Sequence, residues 1–139
     1  MSQDTPLQLH FTVAFDDTDC EGIVFFGNYF RMAHRALERY LPLIGIPWAD
    51  WFKNTEFGVP LRHVEADYSA PLSAGDDFLV KITIKEIGNS SVHFNYEFST
   101  PTGVPVSRLV TSHVFVDRKK RAKTEIPAPI RDRLADAPK

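Results

Sequence analysis

The chain has 139 residues, of which 43% are hydrophobic and 24% charged, and its formal net charge is -2. This length fits one domain spanning residues 1–139 with a single core, and the composition is that of a soluble globular protein. The near-zero charge excludes a global attraction to nucleic acid or to an anionic membrane. Any charged partner must therefore be bound by a local patch.

The sequence also excludes several other classes. No stretch approaches the roughly 18 apolar residues of a membrane span, and the start MSQDTPLQLH has neither a basic segment nor an apolar signal core. We therefore expect a cytoplasmic protein without a membrane span. The single cysteine, Cys20, excludes an internal disulfide and a cysteine-rich zinc site, and we expect no metal.

The first two predicted elements differ in their hydrophobic period. Alternation predicts a half-buried strand whose buried face carries Leu7, Leu9, Phe11, Val13 and Phe15. From Tyr29 onward, apolar residues recur at steps of one, three and four, which predicts a long helix with one buried face. That face consists of Tyr29, Met32, Ala33, Ala36, Leu37, Tyr40, Leu41 and Ile44. Gly45 is a natural left-handed cap, and Pro47 prevents continuation.

Extended segments follow the helix. Alternating patterns predict strands over residues 78–84, 92–98 and 104–116, with turns at residues 75–76, 88–89 and 101–103. Residues 59–68 are extended in propensity but mixed in pattern, and a short helix is predicted over residues 130–134. A strand, a long helix and about four antiparallel strands indicate the α+β class. Because one helix covers only one face of a sheet, we expect a homodimer or a homotetramer.

The run TDCEGIVFFGNY, residues 18–29, links the first strand to the helix. It resembles the signature of the 4-hydroxybenzoyl-CoA thioesterase family of the hotdog fold, T-D-x-x-G-[IV]-V-x-x-[GNPA]-x-[YF]. The similarity continues through PLRH at 60–63, DYSAP at 67–71 and the final valine-rich strand. PLRH and DYSAP resemble in particular the branch of the family that acts on 1,4-dihydroxy-2-naphthoyl-CoA. The resemblance implies an antiparallel sheet wrapped around one long helix, and acyl-CoA thioesterase activity.

The resemblance also implies roles for individual residues. Thioester hydrolysis needs a group that either attacks the thioester or activates a water molecule. It also needs hydrogen-bond donors that stabilise the negative charge on the carbonyl oxygen. The family's acid matches Asp19, as nucleophile or general base, and its oxyanion donor matches the backbone N–H of Phe26 or Gly27. A helix N-terminus offers such donors on physical grounds as well. Gly22 is expected to let the backbone approach the thioester.

The remaining candidate residues are expected to bind the substrate. Coenzyme A is part of this substrate, and no separate cofactor is expected. Residues expected to contact the acyl group, which we expect to be aromatic or bulky and apolar, are Val24, Phe25, Tyr29 and His63. For the CoA phosphates the candidates are Ser90 and Ser91 in one hairpin, and Lys119 and Lys120 in the basic run RKKRAK. A solvated charged segment is an equal alternative for that run.

Alternatives to the catalytic interpretation remain. Asp19 could be only a turn former or cap, which would suit a non-catalytic acyl-binding or scaffold module, and Asp16 and Asp17 are close enough to compete for its role. An acyl-thioester dehydratase would need a histidine and acid pair, which the sequence does not reveal. Cys20 lacks a partnered imidazole or a cationic setting beside it in the sequence.

Overall fold

The structure is a computed structural model that describes residues 7–139. Residues 1–6, on which the expectation of no signal segment largely depends, lie outside the described residues. In chain order the elements are β1 (Leu7–Thr12), a 3-10 turn (Phe15–Asp17), α1 (Asn28–Leu43), α2 (Trp48–Phe52), β2 (Phe57–Gly58), β3 (Leu61–Tyr68), β4 (Asp77–Ile87), β5 (Ser91–Ser99), β6 (Pro105–Val114), β7 (Val116–Asp117), β8 (Ala122–Lys123) and α3 (Ala128–Ala135).

Two antiparallel sheets organise these elements. The main sheet has the strand order β1-β4-β5-β6-β3, and β2, β7 and β8 form a second, small sheet. The predicted α+β class is confirmed. The short helix predicted over residues 130–134 lies within α3.

The long helix lies against the main sheet, as its apolar period requires. It begins one residue before the predicted start, and the predicted apolar face is buried. The rings of Tyr29 and Phe98 are 5.5 Å apart, which places the first turn of α1 over the end of β5. Gly45 follows with a φ of 91°, in the left-handed region that favours glycine. Burial of a large apolar side chain contributes about 1.5–3 kcal/mol, so this contact supplies much of the core stabilisation.

The mixed pattern of residues 59–68 has a structural reason. Within the described chain, β3 is an edge strand that pairs with β6 alone, and apart from the half-buried Ala66 all of its residues are exposed. Leu61, Val64 and Tyr68 remain 54%, 37% and 45% exposed. A strand without a buried face does not need strict alternation, but its outer backbone groups are left without a neighbouring strand.

Two predicted strand boundaries are wrong. Phe15 is predicted on the buried face of the first strand, but β1 ends at Thr12 and Phe15 is 84% exposed in the following turn. The final strand is predicted to reach Val116, but β6 ends at Val114, and Val116 belongs to β7 of the second sheet. In both places the alternation of apolar residues continues past the last paired residue. Hydrophobic alternation along one strand does not indicate where the neighbouring strand ends, so it cannot predict this boundary.

Candidate active site

The signature residues fold into a tight hairpin that precedes α1. Asp19 N–H donates to the Ile23 carbonyl (2.8 Å), and Gly22 N–H donates to the Asp19 carbonyl (3.0 Å). Gly22 has a φ of 77°, which explains the glycine at this position of the turn. The hairpin is held to the chain ahead of β4, because Val24 N–H donates to the Leu72 carbonyl (2.8 Å). The loop therefore has a fixed position relative to the sheet.

Asp19 lies exposed at the start of this hairpin. Its Oδ1 accepts hydrogen bonds from the N–H groups of Glu21 (2.8 Å) and Ile23 (3.4 Å). Within residues 7–139, Oδ2 makes no hydrogen bond. The carboxylate thus forms a local turn with one oxygen, as the turn-former interpretation expected, while its other oxygen faces no protein donor. Cys20 is also exposed in this hairpin.

Asp17, which the sequence offered only as a competitor of Asp19, has a different environment. It is 2% exposed, and its Oδ1 accepts a hydrogen bond from Nη2 of Arg31 (2.9 Å), while its Oδ2 accepts one from the Ala14 N–H (3.1 Å). Its backbone carbonyl accepts from Nδ2 of Asn28 (2.8 Å). Asp17 therefore ties the loop to the first turns of α1, a positioning role that spacing alone did not reveal.

The N-terminus of α1 presents the predicted oxyanion donors. In the part of the chain that the structure describes, the N–H groups of Phe26 and Gly27 donate to no protein acceptor, whereas the Asn28 N–H donates to the Phe25 carbonyl (2.9 Å). Gly27 caps the helix without a side-chain hydrogen bond. A Cβ at Gly27 would lie 2.9 Å from the Phe25 ring, so a larger residue would require that ring to move.

Tyr68 orients the peptide that contains the Gly27 donor. Its hydroxyl donates to the Phe26 carbonyl (2.9 Å), and desolvation raises the pKa of Tyr68, so the hydroxyl stays protonated near neutral pH. The carbonyl of Phe26 and the N–H of Gly27 belong to one planar trans peptide and point in opposite directions. A hydrogen bond on the carbonyl side therefore directs the Gly27 N–H to the other side of the loop. The sequence reasoning missed this residue, although the DYSAP segment contains it.

The residues predicted to contact the acyl group lie in three different places. Phe25 and Phe26 are 46% and 63% exposed beside the donors, with ring centroids 4.6 Å apart. Val24 and Tyr29 are buried in the core. His63 is exposed on β3, where its Nε2 lies 3.2 Å from Oε1 of Glu65. It is five residues from Tyr68, about 16 Å along the strand, so the structure does not bring it to the α1 N-terminus of its own chain.

The predicted CoA-binding residues gather at the opposite end of the main sheet. The Phe115 N–H donates to the Ser90 carbonyl (2.7 Å), which places the β4–β5 turn beside the chain that enters β7. Because α1 begins over Phe98, these turns lie about 24 Å from it, the length of seven residues of β5. Within one chain, Ser90, Ser91, Lys119 and Lys120 are therefore far from Asp19.

The basic run forms the β7–β8 turn. Oδ1 of Asp117 accepts hydrogen bonds from the Lys120 N–H (2.8 Å) and the Lys119 N–H (2.9 Å), and the Lys120 bond is the main reason that the pKa of Asp117 is lowered. An open groove of about 570 Å³ runs beside this turn, and Gly58, Arg118 and Arg121 line it. The turn thus presents cations next to a groove.

A long helix on an antiparallel sheet, preceded by an acid-bearing hairpin, is the architecture of the hotdog-fold thioesterases. Residues 13–134 match the model of the thioesterase-like superfamily, and the chain belongs to this superfamily. It is 34% identical over 116 residues to a 1,4-dihydroxy-2-naphthoyl-CoA hydrolase from Nostoc punctiforme, covering 84% of this chain and 78% of that protein. An identically named protein from Thermosynechococcus vestitus is 31% identical over 127 residues, covering 91% and 87%.

A solved structure agrees with these relatives. A 1,4-dihydroxy-2-naphthoyl-CoA thioesterase from Synechocystis has a TM-score of 0.87 at 28% identity, covering 95% of this chain and 97% of that one. The predicted hotdog fold and the predicted enzyme class, a thioester hydrolase acting on acyl-CoA, are confirmed. The alternatives of a scaffold module and a dehydratase are set aside. Among residues 7–139, none of the helices has the length and apolar character needed to span a membrane.

Proposed function

We propose that the protein hydrolyses an aromatic acyl-CoA, with 1,4-dihydroxy-2-naphthoyl-CoA as the first candidate, and that Asp19 and the Gly27 N–H carry out the chemistry. The observation that carries this proposal is that one loop holds both the exposed Asp19 carboxylate and the Gly27 N–H, which has no acceptor among residues 7–139. The names of the relatives support the aromatic acyl group. The exposed rings of Phe25 and Phe26 offer it an apolar surface next to the donors.

In the proposed reaction, Asp19 acts on the thioester carbonyl carbon either directly or through a water that it deprotonates. In both routes addition to the carbonyl carbon places negative charge on the carbonyl oxygen, and the C–S bond then breaks with release of the coenzyme A thiolate. In the direct route the product is an anhydride between Asp19 and the acyl group, which a water hydrolyses to the free acid and the Asp19 carboxylate. In the water route the acid forms at once, and the proton that Asp19 took from water passes to the departing thiolate. The Gly27 N–H would donate to that oxygen, supported by the positive end of the α1 dipole. One such donor contributes about 2.7–4 kcal/mol to transition-state stabilisation. Asp17 and Tyr68 would position the two halves of the site without contacting the substrate.

The activity test uses purified protein, a panel of aromatic and aliphatic acyl-CoA esters, and detection of free thiol. We expect aromatic esters to be hydrolysed fastest and Asp19→Asn to be at least about 100-fold slower, because removing the reacting group removes its catalytic contribution. Asp16→Asn is the matched control, since Asp16 is a nearby exposed acid, and it should retain wild-type activity. Absence of hydrolysis of any ester, or full activity of Asp19→Asn, would refute the proposal.

We further propose that the functional unit is at least a homodimer formed through β3. In the part of the chain that the structure describes, the outer edge of β3 pairs with no strand, and its exposed residues include Leu61 and Val64. Both features suit pairing with a second β3. A two-fold axis would make the two strands antiparallel. The Leu61 end of one strand would then lie beside the Tyr68 end of the other.

This arrangement would complete the site. Leu61 pairs with His113, next to the end of β6 that precedes the β7–β8 turn, so a partner's turn would approach the first chain's α1 N-terminus. Ser90, Ser91, Lys119 and Lys120 of one chain could then bind the CoA that the other chain's Asp19 hydrolyses. His63 would likewise approach the acyl group from the second chain.

A mixed dimer tests this sharing of residues. One chain carries Asp19→Asn, and the other carries Lys119→Ala with Lys120→Ala. If each site uses both chains, half of the sites in the mixed dimer are intact, and we expect about half of the wild-type kcat with the wild-type KM. If each chain were self-sufficient, the remaining Asp19 site would lack its lysines, and the raised KM of the lysine variant would persist. The two homodimeric variants are the controls.

A further inference from the structure

A small cavity lies between α1, α2 and the main sheet. Its volume is about 170 Å³, and its walls are mainly apolar, including Phe30, Leu37, Trp51, Phe52, Leu61 and Val64. Cavities of about 150 Å³ with such walls bind benzene, so this one can hold an aromatic ring with a small substituent. Phe30 lies three residues after Gly27, a distance of about 4.5 Å along the helix axis. The cavity therefore begins within one turn of the proposed oxyanion donor.

The cavity has a polar side that is buried in the core. Tyr96, Thr111 and His113 line it and are only 1%, 7% and 5% exposed. The Tyr96 hydroxyl is 2.8 Å from Oγ1 of Thr111, which in turn is 3.1 Å from Nε2 of His113. Within the described residues, Nδ1 of His113 has no hydrogen-bond partner. An unpaired buried polar atom is destabilising by about 1–3 kcal/mol, and a ligand in the cavity would supply the missing partner.

The hydrogen-bond chain indicates which nitrogen carries the proton. Burial lowers the pKa of His113 to about 4, so near neutral pH only one ring nitrogen bears a hydrogen. If Tyr96 donates to Thr111 and Thr111 donates to Nε2, both hydroxyls are satisfied and Nδ1 bears the hydrogen. The Val59 carbonyl favours the protonated ring and so opposes the lowering of the His113 pKa. It does not meet the geometry of a hydrogen bond to Nδ1. Among residues 7–139, Nδ1–H therefore completes no hydrogen bond.

We propose, building on the function proposed above, that this cavity binds the ring of the acyl group and that Nδ1–H of His113 donates to a hydroxyl or oxo oxygen on that ring. His113 is then a specificity residue. It favours oxygen-substituted aromatic acyl groups, because an unsubstituted ring leaves the buried donor unpaired. Thr111 and Tyr96 act through His113 by fixing its tautomer.

Hydrolysis of benzoyl-CoA and its three monohydroxy isomers tests the inference. We expect the wild type to favour at least one isomer over benzoyl-CoA by about tenfold or more in kcat/KM. In His113→Leu the preference should fall below about threefold, mainly through slower turnover of the hydroxylated ester. Tyr40→Phe is the matched control, because the Tyr40 hydroxyl is also buried without a partner among the described residues but does not line the cavity. It should keep the wild-type preference.

A binding measurement separates this inference from the proposed activity. Trp51 lines the cavity, and a Trp48→Phe background leaves it as the single tryptophan. We expect a hydroxybenzoate to change Trp51 fluorescence at a concentration at least about fivefold lower than benzoate does, and Thr111→Val to weaken this difference. This variant also provides a test if His113→Leu does not fold.

The outcomes distinguish the two proposals. If no ester is hydrolysed but hydroxybenzoate binds selectively through His113, the proposed reaction fails and the ring site stands. If esters are hydrolysed and folded His113→Leu or Thr111→Val keeps the wild-type ring preference, the inference is overturned. A wild type without any preference for hydroxylated rings overturns it too.

Discussion

Replacing Tyr68 by Phe tests whether the oxyanion donor is oriented from its carbonyl side. The change removes the hydroxyl that donates to the Phe26 carbonyl at 2.9 Å but keeps the ring that lies 5.3 Å from the ring of Tyr29. Tyr68 is 45% exposed, so we expect at most about 1 kcal/mol of lost stability, near the middle of the range for a neutral hydrogen bond. The effect on catalysis should be larger than the effect on stability.

The magnitude follows from the role of one peptide. Complete loss of an oxyanion donor would reduce the rate by about 100- to 1,000-fold. In Tyr68→Phe the Gly27 N–H stays in place but its peptide is less restrained, so we expect about a tenfold loss of kcat, or about 1.4 kcal/mol. KM should change by less than about twofold, because the missing interaction acts mainly in the transition state.

The assay measures initial rates of thiol release at saturating acyl-CoA, together with thermal unfolding of the same samples. Tyr40→Phe serves as the control, since it removes a tyrosine hydroxyl that has no partner among the described residues, and its kcat should be unchanged. An unchanged kcat in Tyr68→Phe, or a change confined to KM, would show that the bond to Phe26 does not orient the donor.

Three further predictions concern the loop, the basic turn and the buried histidine. Asp17→Asn should lower the free energy of unfolding, measured in urea, by about 2–3 kcal/mol, because the charge-assisted hydrogen bonds of a buried carboxylate are lost. Asp16→Asn is the control and should change it by less than about 0.5 kcal/mol. Similar values for the two variants would contradict the positioning role of Asp17. Lys119→Ala with Lys120→Ala should raise KM more for CoA esters than for phosphate-free pantetheine esters, and equal effects would exclude phosphate binding. Because burial lowers the pKa of His113 from 6.5 to about 4, its contribution to stability is complete above pH 6.5. That contribution should fall by up to about 3 kcal/mol between pH 6.5 and 4. The loss of stability over this pH range should be absent in His113→Leu. Identical urea midpoints at each pH for the wild type and His113→Leu would contradict the prediction.

Hydrophobic periodicity predicts the helices and strands of this fold better than it predicts where they end or which residues they expose. The α1 face follows directly from its steps of three and four, since burial of one helix side is a local pattern. The exposure of Phe15 does not follow, because it depends on where β4 stops pairing with β1. The mixed pattern of β3 carries information that becomes clear only from its place at the sheet edge.

The candidate site shows the same division. The signature locates Asp19 and Gly27 because both belong to one continuous run of sequence. The role of Asp17 depends on Arg31, 14 residues away, and the role of Tyr68 depends on Phe26, 42 residues away. The His113 cavity combines residues from α1, α2, β3, β5 and β6, so no local motif could predict it. Long-range contacts of this kind require the fold to be known.

The two edges of the main sheet differ in a way that bears on how the protein assembles. At the β1 edge, Nη1 of Arg39 donates to the His10 carbonyl (3.1 Å), and the His10 ring lies 3.6 Å from the Asp77 carboxylate. A backbone group occupied in this way discourages further strand pairing, whereas β3 exposes Leu61 and Val64 beside its charged residues. Pairing through one edge alone closes after two copies. The sheet can therefore extend across a dimer without becoming the template for an open-ended fibre.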